Sequence, residues 1–163
     1  MFKNKLFLGV FAGLTASIVK DAVNQILYSL RIIKILFAQY AVGVFISTMD
    51  TKSLLGIVTW YAVDFGLSAL LGIIFIFILE KTKPKHIVFQ GIVFGSTLYI
   101  GIYGALLAMG ISSLKDRELM DVVLMIICHL VYGLTLGLFV QKYGRNLLTL
   151  STVKAKNNDK IGT

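Results

Sequence analysis

Four long apolar runs, separated by short polar or basic stretches, set the pattern of this chain. They cover about residues 6–30, 53–79, 87–109 and 119–140. A helix rises about 1.5 Å per residue, so roughly 20 apolar residues cross a bilayer core. Each run is that long. The pattern predicts an all-α polytopic membrane protein, a single domain over residues 1–150 built as a four-transmembrane-helix bundle. Between the first two runs lies a less regular stretch, 31–52, in which Ile32 to Ser47 is apolar but interrupted by Lys34 and Gln39. It reads as an interfacial connector, with a re-entrant piece or an extension of the first helix as alternatives. Pro84 is expected to stop the second helix. Residues 151–163 are basic and polar and read as a disordered tail.

The first run, LFLGVFAGLTASIVKDAVNQILYSL, begins after Lys3 and Lys5, as a signal peptide would. Cleavage after Ala16 would need a small residue where Leu14 stands, and the hydrophobic face resumes after Gln25, so the run is read as a span. Composition agrees with the pattern. Of 163 residues, 57% are hydrophobic, above the 45–50% or so of soluble domains. The net charge of +8 does not point to nucleic acid, because the bases gather between the apolar runs. The lone Cys128 excludes an internal disulfide and a cysteine-based zinc site.

The bases also orient the chain. Lys3, Lys5, Lys81, Lys83, Lys85, Lys142, Arg145, Lys154, Lys156 and Lys160 fall on one side of a four-span layout. The opposite side has Arg31, Lys34, Lys52, Lys115 and Arg117. The positive-inside rule then puts both termini in the cytoplasm of a bacterial plasma membrane. Lys81, Lys83 and Lys85 are also candidates to meet anionic lipid headgroups.

Inside the runs stand residues that apolar helices rarely carry: Lys20, Asp21, Asn24, Asp64, Tyr99, His129 and Tyr132. Ionisable groups at such depth cost roughly 2.5–3.5 kcal/mol each, so they need partners within the protein. Counted along the helices, Lys20 and Tyr99 lie roughly 20 Å above the cytoplasmic face, with Asp64 and His129 roughly 15 Å below the other. These residues are expected to form one intramembrane polar layer, with Lys20–Asp64 and Asp21–His129 as possible pairs. The cytoplasmic half carries Gly9 and Gly13, Gly91 and Gly95, and Gly133 and Gly137, each a G-x-x-x-G that lets helices approach closely. GVFAGLT at 9–15 and GIVFGST at 91–97 hint at a parallel duplication of two-helix units.

The stretch Gly91–Gly137, with G-I-V-F-G at Gly91–Gly95, Tyr99, the polar loop Lys115–Asp121, and I-C-H-L-V-Y-G at Ile127–Gly133, resembles the YqhR-like family of small four-span membrane proteins of Gram-positive bacteria. The resemblance implies topology and a plasma-membrane location and lends no reaction.

No metalloprotease, serine-hydrolase, P-loop or dinucleotide motif occurs, and no cofactor or metal is expected. A haem would need His129 from two copies of the chain, because His86 lies at the membrane boundary. The reading is a non-enzymatic accessory or oligomeric scaffold subunit, with self-association or a membrane-protein partner. The alternative is a proton- or ion-coupled conduit using Asp64, Lys20 and His129.

Overall fold

The computed structural model describes residues 4–34, 36, 53–82, 86–105 and 119–148. They are helical, with no strand among them. The helices are α1 (Lys5–Ser29), α2 (Leu54–Thr82), α3 (Ile87–Leu98) and α4 (Leu119–Tyr143). A π-helical segment, Tyr99–Tyr103, continues α3. The sequence-expected third helix, 87–109, is therefore described to residue 105, and the tail 151–163 lies outside the described residues.

Local chemistry sets the ends of α1. Asn4 caps its start, the side chain accepting a hydrogen bond from Leu6 N–H at 2.8 Å. At the other end Ile32 N–H bonds Leu27 C=O at 3.0 Å and Arg31 N–H bonds Tyr28 C=O at 2.9 Å. This is a Schellman turn, and it needs a left-handed residue, which is Arg31 at φ 57°. The turn ends the helix at Ser29, so the 31–52 stretch does not simply prolong α1. The choice between interfacial and re-entrant chain rests mostly on residues 37–52, outside the described set.

Neighbouring helices run antiparallel. Lys5 at the start of α1 pairs with Glu80 near the end of α2, and Leu8 packs against Gly144 just beyond α4. Helix α1 therefore packs on both α2 and α4, and α3 packs on α4. Contact between α2 and α3 is slight, with Phe75 and Phe94 ring centroids 5.2 Å apart. The core holds Leu8, Ala12, Ala16, Phe75, Leu79, Leu136 and Val140.

Small residues make the closest contacts. A Cβ at Gly9 would stand 2.7 Å from Ile73 Cα, and one at Gly72 would stand 2.9 Å from Gly13 Cα. A Cβ at Gly91 would stand 2.9 Å from Gly137 Cα, and one at Gly95 would stand 3.0 Å from Gly133 Cα. Real Cβ atoms do not sit that close, so backbone touches backbone in two seams. One joins α1 to α2 through Gly9, Gly13, Ser68 and Gly72; the other joins α3 to α4 through Gly91, Gly95, Gly133 and Gly137. Both lie at the Lys5–Glu80 end of the bundle.

Three helices, α1, α2 and α4, are long and apolar enough to cross a membrane, and Ile87–Ile102 is a shorter apolar helix. Their outward faces carry Phe7, Phe11, Ile18, Leu67, Leu70, Ile74, Phe77, Val123, Ile127, Leu134 and Leu138. Water-soluble proteins rarely expose contiguous apolar surface beyond a few hundred Å². This is a membrane protein.

Candidate functional site

The polar residues of α1 fall on the face that enters the bundle. Ser17, Lys20 and Asn24 follow the buried glycine line at helical spacing, one turn apart. On α2 the buried line is Gly56, Trp60, Asp64, Ser68 and Gly72, one residue every turn. The same period that presents Ser68 and Gly72 to the seam presents Asp64 to α1. On α4, Asp121, Met125, Cys128, His129 and Tyr132 are buried.

Lys20 is the hub. Its Nζ lies 2.8 Å from Asp64 Oδ1 and 3.0 Å from Asp21 Oδ1. Ser17 donates its hydroxyl to the other oxygen of Asp64. Lys20 is 2% exposed and Asp64 3%, so this is a desolvated pair held across the α1–α2 interface. A buried charge of this kind persists only when paired and hydrogen-bonded. Asp21 is less enclosed, with 15% of its side chain accessible. Its Oδ2 is buried and has no hydrogen-bond donor among the described residues.

Helix α4 closes the cluster from the other side. Asn24 Nδ2 points at Cys128 Sγ, 3.9 Å away. Tyr132 donates its hydroxyl to Ser68 C=O at 3.3 Å, tying α4 to α2 just below Asp64. His129 Nδ1 sits 2.9 Å from Met125 C=O one turn back, and its ring meets that of Tyr99 at 5.1 Å between centroids. Tyr99 in turn donates to Val122 C=O at 3.4 Å.

Of the two pairs that helix spacing allows, the structure forms Lys20–Asp64, while Asp21 pairs with its neighbour Lys20. All seven polar residues expected in the layer lie in the described helices, and Lys20, Asn24, Asp64, Tyr99, His129 and Tyr132 are buried. Lys20, Asp21 and Asp64 group at the α1–α2 interface and His129 with Tyr99 at the α3–α4 interface, while Asn24 and Tyr132 link α4 to α1 and α2. Ser17, Ser68, Cys128 and Asp121 also belong to the interior and were missed as site residues. The signal for Ser17 was present, since it shares a face with Lys20 and Asn24; a serine in an apolar helix is too common to be singled out.

The six seam glycines all face helices of their own chain. They close the bundle and are not presented on its outer surface. Lys81 is exposed at the end of α2; Lys83 and Lys85 lie outside the described residues.

Comparison with protein-family models, with curated proteins and with solved structures found no match. The site has to be read from its own chemistry. Among the described residues no group of three His, Cys, Asp or Glu side chains is arranged to hold a metal. The Asp64 carboxylate that accepts the hydroxyl of Ser17 is itself ion-paired with Lys20. What the cluster can do is hold charge inside a low-dielectric bundle and hold α1, α2 and α4 together.

Proposed function

We propose that the chain is a small, non-enzymatic integral membrane protein, an accessory or scaffold subunit of a bacterial plasma membrane. In this reading it spans the bilayer four times with both termini in the cytoplasm, and its partners are the lipid bilayer and a second membrane protein or second copy. The supporting observation is that the polar interior serves itself: Lys20 binds Asp64 and Asp21, Ser17 binds Asp64, and Tyr132 binds Ser68. Together with the glycine seams these contacts fix the helices and leave apolar outer faces for lipid or a partner helix. The likeness of Gly91–Gly137 to YqhR-like proteins fits the same location.

One observation favours a second reading, a proton- or ion-coupled conduit. The buried cluster has two acids for one base, and Asp21 Oδ2 is without a donor among the described residues. Intramembrane charge of this kind often marks a path. Proton and cation flux into liposomes holding the purified chain, beside Asp64→Asn, separates the two. The scaffold reading expects no flux from either protein and a specific protein co-purifying with the wild type. Flux that disappears in a folded Asp64→Asn variant would overturn it.

A further inference from the structure

The ionised part of the cluster is one ammonium between two carboxyl groups. Lys20 Nζ is 2.8 Å from Asp64 and 3.0 Å from Asp21, so the two carboxyls share one ammonium. The other polar groups turned toward this point are Ser17 on α1 and Cys128, His129 and Tyr132 on α4, with Tyr99 behind His129. Ser17 already donates its hydroxyl hydrogen bond to Asp64, Tyr132 donates its own to Ser68 C=O, and His129 turns Nδ1 to Met125. Among the described residues Asp21 Oδ2 is left as a buried acceptor with no donor, in a carboxyl that shares Lys20 Nζ with Asp64. Two carboxylates sharing one site favour a single proton between them, and an interior of low dielectric strengthens that preference. The atom that would both neutralise the cluster and satisfy this oxygen is a proton.

The two ends of the bundle differ. Towards the Lys5–Glu80 end the bundle is closed by Leu8, Ala12, Ala16, Phe75, Leu79 and Leu136, all at 0% exposure, and by the two glycine seams. Towards the other end Asn24 and Asp121 are buried beside Trp60 and Met125, and Asp21 itself is the most accessible member of the cluster.

We propose that Asp21 is a reversible proton-binding site, sharing its proton with Asp64 beside Lys20 and exchanging it only with the water at the Ser29 end of α1. The inference rests on the membrane-bundle reading and holds for a scaffold, because a site open to one side binds protons without conducting them. Infrared difference spectra of the full chain in liposomes, stepped in pH, read the C=O stretch of protonated carboxyl groups directly. Above about pH 5, where ordinary carboxyls stay ionised, the wild type is expected to gain one carboxyl's intensity on acidification. Asp21→Asn and Asp64→Asn are each expected to lose that intensity, since Lys20 then matches the one acid left. Lys20→Met is expected to raise it towards two carboxyls. Helical circular dichroism of each reconstituted variant checks that it is folded. Folded wild type without the band, or a band undiminished in folded Asp21→Asn, overturns the site. In vesicles with the chain inserted in one orientation, the band should follow the pH on one side only; a response to both sides overturns the one-sided access. Failure of the chain to enter the bilayer as helices would instead sink the membrane-bundle reading, and Asp64-dependent flux would sink the scaffold.

Discussion

Lys20 decides the energetics of the interior, because it serves two acids. Removing one acid leaves the ammonium with a partner at 3.0 Å or closer; removing the ammonium leaves two carboxyls with no counter-ion. Uncompensated buried charge costs about 3–5 kcal/mol, whereas polar pairs within membranes contribute about 0.6 kcal/mol on average. Lys20→Met is therefore expected to destabilise the bundle by about 3 kcal/mol, and Asp64→Asn by about 1 kcal/mol. Unfolding in mixed micelles with increasing denaturing detergent measures both, and equal losses would contradict the shared-counter-ion arrangement. The Lys5–Glu80 pair is a contrast. Its side chains are 35% and 22% accessible, so Glu80→Gln should change stability by less than about 1 kcal/mol in the same assay.

At the scale of the helices, the glycines divide by what their missing side chains would meet. Gly13 lies against Ser68 and Ala69 backbone, while Gly66, on α2, has open space where a Cβ would be. Gly13→Leu must push α1 off α2 and should cost about 2–3 kcal/mol or prevent folding. Gly66→Ala adds only helix propensity and should be neutral or stabilising by up to about 1 kcal/mol. Thermal unfolding of the two variants beside wild type checks the seam; a harmless Gly13→Leu would remove the argument for it. The end of α1 offers a test of opposite sign. Arg31 occupies a left-handed conformation that costs an L-residue about 1–2 kcal/mol. Arg31→Gly should raise stability by about 1 kcal/mol, and an unchanged midpoint would mean that the Schellman turn is not formed.

Across the whole molecule, the arrangement is two glycine-seamed hairpins, α1–α2 and α3–α4, joined mainly where α1 meets α4. The seam glycines of α1 and α3 do equivalent work, which gives physical content to the similarity of GVFAGLT and GIVFGST. The equivalence stops at the polar cluster. Asp64 lies one turn before Ser68, whose carbonyl meets Gly13; on α4, one turn before His129, whose carbonyl meets Gly95, stands Met125. The Lys20–Asp64–Asp21 cluster is thus confined to the first hairpin. The second hairpin supplies aromatic and imidazole groups around it.

The run lengths of apolar residues were enough to determine the three long helices α1, α2 and α4, because a helix long enough to cross a bilayer must satisfy its own backbone and show lipid an apolar surface. Spacing along α1 and α2 also put Lys20, Asn24 and Asp64 on inward faces, since the helical period ties them to the glycines that pack. Three things were decided only by the tertiary structure. Small residues at fourfold spacing do not say whether they meet their own chain or another, and here the seams close internally. One period allows several charge pairs, and the rotation of α1 against α2 selects Lys20–Asp64. Ser17, Ser68, Cys128 and Asp121 gain their places in the interior from which helix lies opposite, and that information exists only once the helices are packed.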